Sequence, residues 1–156
     1  MHETIIDKLR RRIGAENILR LSAPRPARVF VWVDRGKLKE AVKFLKEEGF
    51  THLSAITGLE AEGCIELLYH LSREGTILTL RVAVPPDVGF APTITDEIPG
   101  AALYEREIYD LLGVRFDGHQ NLERLILPDE SPENFHPLRK DEEVKKAPIG
   151  DAANAT

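Results

Sequence analysis

Cysteine is almost missing from this sequence: Cys64 stands alone. One thiol cannot close an internal disulfide, and it cannot supply the thiolates of an iron–sulfur cluster. Its apolar surroundings suit a buried, inert thiol. Positive charge is also in short supply. The 21 Lys and Arg are outnumbered by 26 Asp and Glu, a formal net charge of −5. That argues against broad nucleic-acid binding, which needs a basic field to neutralise phosphates. Aromatic residues make up 6% and are scattered. They form no stacking platform, and Trp32 reads as core packing. No run approaches the ~20 apolar residues of a membrane span. Residues 1–7 lack the apolar stretch of a signal peptide. The expectation is a cytoplasmic chain that meets a membrane only through partners. Phosphate-loop, dinucleotide, zincin, paired-cysteine and nucleophile-elbow motifs are absent as well.

What is present is one domain's worth of chain, 156 residues with 42% hydrophobic and 30% charged. Residues 2–13 carry Ile5, Ile6, Leu9 and Ile13 at helical spacing, with Gly14 to end the helix. Arg10, Arg11 and Arg12 then fall where cations suit the helix dipole. Residues 22–26, with two prolines, read as a connector. Residues 29–33 are β-branched and aromatic on both faces, a centrally placed strand. Residues 37–48 are an amphipathic helix whose inner stripe is Leu38, Ala41, Val42 and Leu45, and Gly49 suits its C-cap. Strands are predicted at 51–57, 64–71 and 76–84, joined by hairpin-like connections. In the third of these, Leu78, Leu80, Val82 and Val84 form the core-facing side. The order α, β, α, β, β, β predicts an α+β fold in two layers, with a mixed or antiparallel sheet of about four strands and helices on one face.

The core is expected to span residues 1–84. A connection and a third helix, 101–112, would fill 85–113. Residues 114–156 read as an extended, proline-rich arm that needs a surface to lie on, with a disordered tip at 151–156.

The densest polar cluster is Glu105-Arg106-Glu107-Ile108-Tyr109-Asp110-Leu111-Leu112-Gly113. Glu107 and Asp110 neighbour each other on a helix. Adjacent carboxylates can share a proton or bind a hard cation. The plainer expectation is ion pairing with Arg106, Arg115, Arg124 or Arg139. A metal site from His119, His136 and Asp117 is conceivable, although the spacing matches no compact zinc pattern; a metal-dependent enzyme using Glu107, Asp110, His119 and His136, or a free-standing protein-binding module, are the alternatives. His119, after Asp117-Gly118, is expected to fix a turn through backbone bonds. Pro137 biases His136 toward extended backbone.

The run from Glu105 through Gly113, continuing Val114-Arg115-Phe116-Asp117-Gly118-His119, strongly resembles the signature of the complex I 30-kDa subunit family. Arg124-Leu125-Ile126-Leu127-Pro128 and His136-Pro137-Leu138-Arg139-Lys140-Asp141 resemble that family's next two blocks, in order. Glu123 departs from the family's usual basic residue or proline, and Glu142 from its frequent aromatic. Related modules occur in NADH:quinone oxidoreductases, deazaflavin-dependent dehydrogenases and energy-converting membrane-bound hydrogenases. The resemblance implies a non-catalytic subunit that holds no flavin, iron–sulfur cluster or quinone headgroup. It would dock on a hydrogenase-like large subunit, beside iron–sulfur subunits that carry the cofactors. The implied assembly residues are Glu105, Arg106, Glu107, Asp110, Arg115, Phe116, His119, Arg124, His136, Pro137, Arg139 and Lys140. Glu105, Glu107 and Asp110 would meet arginines, and Phe116, Leu125 and Leu127 would bury against the neighbour. Because little follows Asp141, the tail suits the smaller hydrogenase-type or archaeal-type assemblies.

Overall fold

A computed structural model describes residues 3–128, 130–132 and 135–139. Helix α1, Ile5–Ile13, opens on a capping box: the Thr4 hydroxyl accepts from the Asp7 amide and the Asp7 carboxylate answers the Thr4 backbone. The three arginines occupy its last turn and pair with acids of the same layer, Arg12 with Glu47 and Arg10 with Asp7. Helix α2, Leu38–Glu47, buries Leu38, Ala41, Val42, Phe44 and Leu45.

The sheet has five strands, one more than expected. They are β1 (Ile18–Arg25), β2 (Arg28–Val33), β3 (His52–Ala61), β4 (Cys64–Arg73) and β5 (Thr76–Val84), in the spatial order β1-β2-β5-β4-β3. Only β2 and β5 run parallel; the other neighbours are antiparallel. The additional strand is β1, which absorbs most of the expected connector. Its Pro24 is tolerated because β1 is an edge strand, where one side of the backbone needs no ladder donor. The β3–β4 and β4–β5 hairpins turn on Glu62-Gly63 and Glu74-Gly75, all four residues at positive φ. That is the two-residue turn whose twist matches the strands. Cys64 lies at such a turn and is half-buried, not enclosed as expected.

One sheet face bears Val31, Leu53, Ile56, Tyr69, Leu71, Leu78, Leu80 and Val82, all inside a single apolar cluster shared with the helices. Trp32 points to the opposite face. It is half-buried between guanidinium groups of Arg20 and Arg81, 4.7 and 4.6 Å from its ring centre, and is not part of the core. Period-two alternation puts Val31 and Val33 inward and Trp32 outward.

The apolar cluster runs on past Val84. Ala91, Ile94, Ile98, Ala101, Ile108, Leu112, Val114 and Phe116 all belong to it. Two short strands, β6 (Phe90–Pro92) and β7 (Arg115–Asp117), pair in parallel on either side of helix α3, Ala101–Leu112. Three-residue strands carry too little periodicity to be read from sequence. Helix α3 lies against β3 at Gly58: a Cβ there would stand 2.5 Å from Leu112 Cδ1 and 2.8 Å from Ile108 Cδ1.

Gly58→Ala should therefore destabilise the fold by about 1–3 kcal/mol through overpacking. Leu112→Ala in the same chain should make room for the new methyl, so the two losses add to less than their sum. Urea unfolding of both single variants and the double variant measures this, and strict additivity would show that β3 and α3 do not meet this closely.

Candidate functional site

Helix α3 organises everything that follows it. Asp110 is buried, and its Oδ2 accepts backbone N–H bonds from Leu125 at 3.2 Å, Ile126 at 2.8 Å and Leu127 at 2.8 Å. Its Oδ1 accepts from Arg124 Nη1 at 3.2 Å, the ion pair expected. Arg124 also donates to the carbonyl of Pro132. Burial opposes ionisation of Asp110, but the three amides and the arginine outweigh it and hold its carboxyl below the ordinary range.

Arg106 does not pair with Asp110. Its Nε donates to the carbonyl of Glu123 at 3.1 Å and its Nη2 to that of Arg124 at 2.9 Å. Because Arg106 reads a carbonyl, the unusual side chain of Glu123 leaves this contact intact.

The end of α3 is closed by residues 136–139. An α-helix leaves its last carbonyls without internal partners. Here Gly113 N bonds Tyr109 O, His136 Nδ1 donates to Asp110 O at 3.0 Å, Leu138 N to Leu111 O at 2.9 Å, and Arg139 Nη1 to Leu112 O at 3.3 Å. Arg139 also faces Glu60 at 3.6 Å. Gly113 makes the closure possible. Its φ is +79°, and a Cβ there would stand 2.7 Å from the His136 ring.

Glu105 meets no arginine among the described residues. It is fully buried and accepts from Thr93 Oγ1 at 2.6 Å and from Ile94 N at 2.9 Å. Burial raises its carboxyl above the usual value, with the Thr93 and Ile94 donors pulling against that rise. Helical spacing sets Glu105 on the buried stripe of Ala101, Ile108 and Leu112.

His119 fixes a turn, as expected. Its Nδ1 accepts from Asn121 N at 3.0 Å, which leaves Nε2–H to donate to Ala102 O at 3.1 Å. Phe116 is buried in the chain's own core and is not an outward contact. Glu107 and Arg115 are exposed and form no ion pair among the described residues. Lys140 and the tip at 151–156 lie outside those residues.

The structure does not bring the residues of the metal alternative into one cluster. Both oxygens of Asp110 and both ring nitrogens of His119 are already engaged, and Glu107 faces outward. Among the described residues no cluster of three His, Cys, Asp or Glu forms. Beside exposed polar residues such as Asn121, Glu123 and Glu130, the segment exposes apolar ones: Leu125 at 41%, Ile126 at 56% and Leu138 at 57%. Leu138 also borders a groove of about 280 Å3 with Tyr104, Glu107 and Leu111 along α3 and Ala55 and Thr57 on β3.

The two carboxylates of α3 should titrate with opposite sign. Stability from Asp110 is complete above the ordinary carboxyl value of 3.8 and is lost as pH falls through the lower folded value. Stability linked to Glu105 is complete below 4.5 and is lost as pH rises through the higher folded value. Asp110→Asn should flatten the acid limb of stability against pH, and Glu105→Gln should flatten the fall above 4.5. Asp110→Asn should also cost ~3–5 kcal/mol, since it strands a part-buried Arg124. It should expose the amides of Leu125, Ile126 and Leu127 to fast hydrogen exchange; unchanged protection would show that the carboxylate does not hold this turn.

Residues 31–148 match the family described as Respiratory-chain NADH dehydrogenase, 30 Kd subunit. The chain is 31% identical over 154 residues to the C/D subunit of the NADH-quinone oxidoreductase of Methylococcus capsulatus, covering 89% of this chain and 26% of that protein. It is 34% identical over 156 residues to the same subunit of Escherichia coli, covering 90% and 25%. The chain thus spans about a quarter of the length of the curated relatives it matches. Among solved structures, a chain of the membrane-bound sulfane sulfur reductase, described as an archaeal respiratory membrane complex, superposes with a TM-score of 0.77 at 30% identity, covering 91% of this chain and 88% of that one. A trypsin-resistant fragment of Nqo5 superposes at 0.63 with 27% identity, covering 75% and 98%. With three quarters of its length inside the family match, and with the signature helix and the described residues of its two following blocks folded into one unit, this chain belongs to the 30-kDa subunit family of the respiratory-chain NADH dehydrogenase.

Proposed function

We propose that this chain is a non-catalytic, cofactor-free subunit of a complex I-like, ion-translocating membrane oxidoreductase, peripheral to the membrane and docked through α3 and its arm on a hydrogenase-like large subunit. Iron–sulfur subunits are its further partners and hold the electron-carrying groups.

One observation carries this reading: most of the polar groups of the signature are used up inside the chain, Glu107 and Arg115 excepted. Asp110, Arg106, Arg124, His119 and His136 bind backbone or one another. A catalytic site keeps reactive atoms free and convergent in a pocket. Among the outward residues are Leu125, Ile126 and Leu138, on a segment tied down by the buried polar set. Exposed apolar side chains on an ordered segment are what a protein partner buries. No helix of the described residues is long and apolar enough to cross a membrane, so on this reading membrane attachment comes through the partners.

Ile126→Asp together with Leu138→Asp should leave the melting temperature of the isolated chain nearly unchanged, since surface substitutions usually stay within about 0.5 kcal/mol. The same pair should sharply reduce the intact complex recovered by affinity purification of the tagged chain from its native membranes. Full recovery of large and iron–sulfur subunits with the double variant would overturn the docking face. Recovery of the wild-type chain alone would overturn the assembly.

A further inference from the structure

The opposite end of the sheet presents a second surface that the proposed docking face does not use. Helix α3 packs on β3, one edge of the sheet; β1 is the other edge. Among the described residues no strand pairs with the outer side of β1, so a row of backbone donors and acceptors faces out. Leu21 lies opposite Val31 of β2, and Leu19 falls at the register shift between Ile18 and Arg20. Leu19 and Leu21 are 65% and 41% exposed. Arg20 and Ser22 lie opposite Trp32 and Phe30 of β2, on the face without helices.

That face is basic although the chain is acidic overall. Arg20, Arg25 and Arg28 are exposed and form no ion pair among the described residues. The carboxylate there, Glu66, is already bound to Arg81. Arg20 is also held in place, its guanidinium 4.7 Å from the centre of the Trp32 ring, with Arg81 on the same ring at 4.6 Å. A stacked guanidinium keeps its planar edge free for a carboxylate and loses less conformational freedom on binding.

Lysine, arginine and proline on an edge are ordinary protection against self-pairing. Two exposed leucines on the same strand work against that purpose. Together the features fit strand addition, in which main-chain bonds supply affinity and alternate side chains select the partner.

We propose that β1 is a docking edge for an extended protein segment of alternating acidic and apolar residues, its carboxylates on Arg20 and Arg28 and its apolar side chains beside Leu19 and Leu21. The segment belongs to another protein, because this chain's own described arm is committed to α3 at the far edge. The charge on the face, not the leucines, sets the sign of the partner.

The test uses the full chain and a fluorescent hexapeptide of alternating glutamate and valine, followed by anisotropy at low salt. Saturable binding is expected, weakening as salt rises. Arg20→Glu, and independently Arg28→Glu, should each weaken it roughly tenfold or more, as reversal of a contacting charge does. Amides of residues 18–25 should gain hydrogen-exchange protection with the peptide bound. No saturable binding, equal binding of a lysine–valine peptide, or indifference to both reversals would overturn the proposal and leave the arginines as edge protection. Preference for a single-stranded oligonucleotide over the acidic peptide would overturn it in favour of nucleic acid. None of these outcomes depends on the α3 surface, so the two readings fail separately.

Discussion

The fold beyond the sheet depends on one carboxylate. Asp110 gathers three consecutive amides and a guanidinium around two oxygens. The described part of residues 119–139, without a ladder or helix of its own, meets only part of its backbone hydrogen-bonding needs through its own turns, such as Ser131 N to Pro128 O. The helix meets others, through Asp110, through Arg106, and through its own free carbonyls. The relation is reciprocal. The arm gives back donors to the last turn of α3, where His136, Leu138 and Arg139 close three carbonyls in succession. Helix and arm are therefore one structural unit. Arg106 and Asp110 of the signature's charged residues are spent on this internal wiring, while Glu107 and Arg115 are exposed.

That distinction explains why the site is half legible in the sequence. The limits of α3 follow from the hydrophobic period and from Gly113, and both survive in the structure. That Asp110 meets an arginine follows from charge, though which of the four candidates it is does not, and His119 as a turn-fixer follows from its glycine neighbour. Glu105 escapes such a reading because a glutamate on an otherwise apolar stripe looks like an error to a binary pattern, whereas here a threonine hydroxyl and an amide receive it. Arg106 escapes it because spacing along a helix cannot tell a carboxylate from a distant carbonyl. Phe116 reads as outward because β7 is three residues long and has no visible alternation.

The sheet shows the same division. Strands with one clean apolar face, β5 above all, declare which side is inward. β1 does not, because its proline and its exposed burial pattern resemble a loop. An edge strand can have that composition, since half its donors and one of its flanks answer to solvent. Trp32 looks like a core residue for its size; its parity along β2 puts it outside, and two stacked arginines supply the cover that a helix layer would otherwise give.

The single parallel seam between β2 and β5 has a consequence for how the molecule comes together. β1 with β2, and β3 with β4 and β5, are each ladders between neighbours in sequence. The seam joins Val29 to Leu78 and Val31 to Leu80 across a long span of chain. Closing that span must precede the reward of the contacts it makes, which is the slow kind of step in folding. During synthesis the sheet cannot be completed until Val84 has left the ribosome, and until then β2 and β5 each present an unpaired edge. Among the described residues the β2–β5 seam is thus the one ladder in this sheet that joins strands far apart in sequence.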